Sequence, residues 1–171
     1  MRVWELSTGL EVVKLDLDSR TGADSVTFSP DSQHLAIGCK DGTARVWEVS
    51  TRKQVAKMVH GSRVITVAFS PDGLYLGTGS QDCTARIWNW ASGEEMIRMT
   101  HRDNVNAIAF SPDGNLFVSG SQLSETYAKI WRLWPSDLET EACTRLSRNL
   151  TVEEWRKHMG DLPYRKTCPD L

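Results

Sequence analysis

The sequence is poor in the features that would single out a chemistry. Its four cysteines, Cys39, Cys83, Cys143 and Cys168, form no Cys-x-x-Cys pair, so a structural zinc site is not expected. They are read as packed thiols in a reducing compartment rather than as a disulfide framework. Lysine and arginine number 20 against 22 acidic residues, with no basic block, which argues against a nucleic-acid or membrane-surface partner. No apolar run approaches the ~20 residues of a transmembrane helix, and Met1-Arg-Val-Trp-Glu5 has no signal-peptide pattern. These absences make a cytoplasmic location the expectation. Catalytic motifs are missing as well: there is no His-Glu-x-x-His, no Gly-x-Ser-x-Gly and no Gly-x-x-x-x-Gly-Lys.

What the chain has instead is repetition. Phe-Ser-Pro-Asp begins at Phe28, Phe69 and Phe110, a spacing of 41, and an apolar-Trp pair closes at Trp4, Trp47, Trp88 and Trp131. A fixed period in the forties marks one supersecondary unit stacked on copies of itself. In the central copy a β-branched run, Val64 to Phe69, leads into Ser70-Pro71-Asp72-Gly73, which suits a type I turn. Strands are expected over Leu74–Ser80 and Thr84–Trp88, with a fourth carrying Met96, Ile97 and Met99. Four short antiparallel strands make a twisted sheet with two apolar faces, each needing a neighbour.

Met1–Trp4 aligns on Ala44–Trp47, so the chain enters at the third strand of a unit. The strand count is two, four, four and three. The turn carboxylates Asp31, Asp72 and Asp113 recur with the repeat and are not a catalytic pair. Gly77-Thr-Gly79 reads as a strand that lets its neighbour approach closely. His34 and His158 stand alone and are read as solvated. After Trp131 the period stops. Leu138, Ala142 and Leu146 then share one helical face, and Thr151-Val-Glu-Glu154 is a capping box ahead of Trp155 and Met159.

These residues resemble the WD-repeat β-propellers, a family of radially arranged four-stranded blades. The resemblance implies an all-β partial propeller over 1–134, about three blades plus a half blade, with a short helical tail over 135–171. The units are 1–15 (half blade), 16–56, 57–98 and 99–134, the last lacking its outer strand. It also implies a buried hydrogen-bonded set in each blade. The second unit offers His60, Thr78 or Ser80, Asp82 and Trp88. The third offers His101, Ser119 or Ser121 and Trp131, with two residues inserted within 122–127 and the Asp gone. The first keeps Asp41 and Trp47, with Cys39 where Ser80 would stand. In this family partners bind at the blade rim, which maps to Asp24, Lys40, Arg63, Ile65, Gln81, Asn104 and Asn106. The run from Cys143 to Trp155, then Tyr164 to Pro169, is similar to the segment closing WD-repeat regions of large bacterial multidomain proteins.

The reading is therefore a non-catalytic scaffold for a protein or peptide partner, the C-terminal arc of a propeller in a signalling or effector protein, with no cofactor and no metal. Self-association through open blade faces is a further expectation. The alternative is a fragment of a propeller-type hydrolase or lyase.

Overall fold

Among the described residues, thirteen strands account for nearly all the regular structure. In the computed structural model, residues 2–14, 21–121, 128–133 and 151–153 are described. The half sheet holds β1 (Arg2–Trp4) and β2 (Glu11–Lys14). The first full sheet holds β3 (Ala23–Phe28), β4 (His34–Cys39), β5 (Thr43–Glu48) and β6 (Lys53–Val59). The second holds β7 (Val64–Phe69), β8 (Tyr75–Ser80), β9 (Thr84–Asn89) and β10 (Glu94–Thr100). The third holds β11 (Val105–Phe110), β12 (Leu116–Ser121) and β13 (Lys129–Arg132). Each sheet is an antiparallel meander in sequence order. The chain divides into two compact units, Met1–Trp131 and Arg132–Leu171. The helical tail expected over 135–171 lies outside the described residues except for 151–153, and is not supported.

The turn between the first two strands forms as its residues dictate. Gly73 N–H donates to Ser70 O at 2.9 Å, and Leu74 N–H to Asp72 Oδ1 at 3.0 Å. The Ser70 hydroxyl meets Asp72 and receives Tyr75 N–H at 2.9 Å. The carboxylate is thus absorbed by the turn, and Asp31 and Asp113 repeat the pattern with Ser29 and Ser111.

Each junction between sheets is apolar. Ala44, Val46 and Met58 of the first sheet pack with Val64, Val67 and Leu76 of the second. Small residues on the second strand set the spacing. A Cβ on Gly77 would lie 2.7 Å from the Phe117 ring and 3.0 Å from the Phe110 ring, and one on Gly79 would lie 2.7 Å from Thr66. Neither position has room for a side chain while the next sheet is docked. One histidine departs from expectation at such a junction. His34 is not solvated but half-buried against Trp90, with ring centroids 4.7 Å apart.

A small irregularity recurs three times. The pairing of first and second strands shifts between Ala23 and Ser25, between Val64 and Thr66, and between Val105 and Ala107. The residues skipped are Asp24, Ile65 and Asn106. A bulge releases one residue from the ladder and re-aims its side chain.

Candidate functional site

Two sets of residues are brought together, one inside each sheet and one at the edge where the inner strands begin. In the second sheet the inner set is continuous. Trp88 Nε1–H donates to Thr78 Oγ1 at 2.9 Å, and that hydroxyl meets His60 Nε2 at 2.7 Å. His60 Nδ1 lies 3.0 Å from Asp82 Oδ2. A carboxylate accepts only, so Nδ1 carries the proton and Nε2 accepts from Thr78. Each group donates to the next, and the chain ends on a charge.

Asp82 is held from every side. Gly61 N–H donates to Oδ2 at 2.9 Å, Thr84 donates its hydroxyl to Oδ1 at 2.6 Å, and Arg86 donates Nη2 to Oδ2 at 2.8 Å. Arg86 continues to Glu95 at 3.1 Å, and Glu95 to Arg98 at 2.6 Å. Burial would raise the Asp82 carboxyl, but the bonds from Thr84 and Gly61 and the neighbouring His60 outweigh it and hold it far below the usual carboxylate range. His60 moves down for the opposite reason: burial disfavours its cation more than Asp82 favours it, so the ring is neutral. Ser80 stands outside this relay. Its hydroxyl donates to Ser62 O at 3.0 Å and receives Asp82 N–H at 3.1 Å.

The other sheets carry parts of the set. In the third, Ser119 Oγ bridges His101 Nε2 at 2.9 Å and Trp131 Nε1 at 2.8 Å, while Ser121 sits opposite Val105 at the strand end. The inserted residues 122–127 lie outside the described ones. In the first, Asp41 accepts from Thr43 at 2.6 Å and from Arg45 at 2.6 Å. There Trp47 Nε1 is buried without a hydrogen-bond partner, because Ile37 occupies the register position of Thr78. Cys39 is buried beside it, and burial pushes its thiol up. Sequence reading missed the two arginines and two threonines. The signal was present as Asp-x-Thr-Ala-Arg, which occurs at Asp41–Arg45 and Asp82–Arg86.

At the edge, Asp24, Ile65 and Asn106 are the three bulge residues, and Arg63 and Asn104 lie just ahead of β7 and β11. Lys40 N–H donates to Gly22 O at 2.9 Å and Gln81 N–H to Arg63 O at 2.9 Å, so the turn residues of one sheet hold the entry to its own inner strand. Arg63 also reaches across to the first sheet and clasps Asp24 with two nitrogens. At the next junction the corresponding pair is Ile65 and Asn104, which cannot form a salt bridge. The side chains of Gln81, Asn104 and Asn106 enter none of the hydrogen bonds above.

Among the described residues, no three His, Cys, Asp or Glu side chains are grouped to hold a metal ion. A stack of antiparallel sheets, two of them four-stranded among the described residues and each with a tryptophan on its third-strand position, defines a blade-repeat protein of the propeller type. The WD domain, G-beta repeat family model matches residues 19–48, 52–89 and 94–132. With more than half of its length matched, the chain belongs to that family. It is also similar to Coronin-7 of Mus musculus, 44% identical over 48 residues, which is 28% of this chain and 5% of that protein. Domains of this family typically mediate protein–protein interaction and are generally non-catalytic.

Proposed function

We propose that the chain is a protein-binding scaffold whose rim, at the start of the inner strands, receives a protein or peptide. The observation that carries this reading is the repeated bulge. Three strands give up a ladder position at the same place, so that Asp24, Ile65 and Asn106 are each left out of the pairing of their own sheets. A rigid inner set beneath a row of re-aimed side chains is what a binding surface requires. The contacts with capacity to spare are Lys40, Ile65, Gln81, Asn104 and Asn106, whereas Asp24 and Arg63 already satisfy each other. The scaffold would serve a larger cytoplasmic signalling or effector protein, in line with the likeness of residues 143–169 to segments closing bacterial multidomain WD-repeat proteins.

The test is partner capture by photo-crosslinking from extracts of the source cells, with the N104A/N106A pair compared to the unaltered chain. Loss of the crosslinked partner with an unchanged thermal midpoint supports the rim. Capture that persists through Lys40→Ala, Gln81→Ala and the Asn pair together sinks it. Arg63→Ala is the poorer probe, because it also opens the clasp to Asp24.

A further inference from the structure

The outermost strands β2, β6 and β10 repeat one charge device, and the middle copy lacks a piece of it. In the second sheet Glu95 of β10 stands opposite Trp88, and Arg98 opposite Arg86. The Glu95 carboxylate joins the two cations, 3.1 Å from Arg86 Nη1 and 2.6 Å from Arg98 Nε. The Arg98 bond and the Arg86 charge outweigh burial and hold that carboxyl below the usual range. In the half sheet Glu11 stands opposite Trp4 and Lys14 opposite Arg2, with Glu11 3.4 Å from Arg2 Nη1. In the first sheet Gln54 stands opposite Trp47 and Lys57 opposite Arg45. The ladder slips at the same step in all three, beside the tryptophan. Glutamine is neutral, so the first sheet keeps both cations and loses the anion between them. Arg45 donates Nη2 to Asp41 at 2.6 Å and Nε to Thr43 at 3.0 Å. Its Nη1, the nitrogen that holds Glu95 in the second sheet, meets no described acceptor. The exposed side chains of Gln54 and Lys57 enter no hydrogen bond or ion pair among the described residues. Like charges directly opposite each other on a sheet repel. β6 carries Lys53 and Lys57 and no acidic residue, whereas β2 and β10 each carry their own.

We propose that this place takes a carboxylate from an acidic peptide segment of a partner protein, seated between Arg45 Nη1 and Lys57 as the Glu95 carboxylate is seated between Arg86 and Arg98. The partner's acid has an apolar residue beside it, since Val55 and Val59 flank Lys57 and are 47% and 59% exposed. The charge-assisted bonds fix the acid, and the apolar contact favours a peptide over a free ion. Lysines on an edge strand also discourage pairing between molecules, but that role asks nothing of the neighbouring glutamine. The second sheet offers no such place, because Glu95 already fills it.

The probe is the peptide acetyl-Leu-Glu-Leu-Glu-Leu-amide, titrated into the isotope-labelled full chain and followed by NMR at the Arg45 Nε–H and the β6 amides. Saturable one-to-one shifts are expected there, and none with the peptide in which glutamine replaces both glutamates. Gln54→Glu supplies the carboxylate from within and should weaken binding about fivefold, as should Lys57→Ala; both positions are exposed, so the spectrum should otherwise keep its dispersion. Glu95→Gln should open the equivalent place at Arg86 and Arg98 and raise the stoichiometry from one peptide to two. The proposal is overturned if the shifts spread over the lysines and arginines of the chain without saturating, or if Gln54→Glu leaves affinity unaltered. It is overturned equally if inorganic phosphate moves the same signals with the same affinity, because the place then takes a free anion and not a peptide. No rim residue belongs to this place, so either result leaves the rim reading independently testable.

Discussion

The first and second sheets share strand lengths, pairing register and turns, yet they brace their third-strand tryptophan differently. In the second, Trp88, Thr78, His60 and Asp82 form one directed chain that ends on Arg86. In the first, Asp41 keeps Thr43 and Arg45, but Ile37 and Cys39 fill the space behind Trp47 with apolar surface. Two solutions thus hold one backbone. The polar relay gives direction and rigidity at the risk of leaving charges unpaired, whereas the apolar filling loses one indole hydrogen bond and risks little.

The sharpest test of that difference removes the carboxylate. Asp82→Ala leaves Arg86 and the Thr78–His60 pair without their anchor, and breaking a buried ion pair on one side costs about 3 kcal/mol. Asp41→Ala touches a half-exposed pair with Arg45 and should cost about 1 kcal/mol. Urea unfolding followed by tryptophan fluorescence measures both. Equal losses would mean that the relay adds nothing to the sheet.

A second comparison concerns how closely neighbours approach. Ala36 in the first sheet packs in the cluster with Leu76 and Phe69 of the second, while Gly77 at the corresponding position of the second faces Phe117 and Phe110 of the third. The small residue and its partner trade volume across the junction. Gly77→Ala should therefore destabilise by about 2 kcal/mol through overpacking, and Phe117→Leu in the same chain should recover much of that loss, although it is destabilising alone. Additive losses in this double-mutant cycle would contradict the volume exchange.

Exchanging the acceptor itself sharpens the contrast further. Thr78→Val keeps the shape but strands Trp88 Nε1 and His60 Nε2, a loss of about 2 kcal/mol. Ile37→Thr in the first sheet gives up one buried apolar group and supplies Trp47 Nε1 with an acceptor, so it should cost less than about 1 kcal/mol. If both changes cost the same, the indole is indifferent to its partner.

Much of this architecture is legible in the sequence, for a physical reason. Turn chemistry is local, so Ser70-Pro-Asp-Gly73 announces its own geometry, and the period of 41 carries it to the other copies. The choice between Thr78 and Ser80 is not legible, because residues two apart on a strand share one face and only the distance to His60 separates them. The bulges at Asp24, Ile65 and Asn106 are equally silent, since an acid, an alkane and an amide share no preference that marks them. Contacts between sheets are the hardest to read. The Arg63 clasp on Asp24 and the Trp90 ring on His34 each join residues dozens of positions apart. A lone histidine at the start of a strand, after Ser32-Gln33, reads as solvated until its partner is seen. The tail over 135–171, where helices are expected, lies outside the described residues except for 151–153.

The smallest effect expected is also the one most specific to the relay: its response to acid. Burial keeps His60 neutral with a folded-state pKa below that of the unfolded chain, despite Asp82 and Glu95 nearby and with Arg86 adding to the depression. The unfolded state then binds a proton that the folded state refuses, so stability falls as pH drops below the unfolded value of about 6.5. Asp82 is depressed as well, and its contribution is present above the unfolded carboxylate value of about 3.9 and lost as pH falls below it. Acid destabilisation should therefore come in two steps, the first from the histidine and the second from the carboxylate. His60→Gln lowers the urea midpoint at pH 7.5 but should flatten its slope between pH 7.5 and pH 5.5, while leaving the fall below pH 4 in place. Parallel curves for the two chains would mean that His60 binds protons equally in the folded and unfolded states, whereas a midpoint that rises relative to the His60→Gln chain as pH falls would mean that His60 is protonated in the folded state, and the direction of the relay would have to be reversed at its middle link.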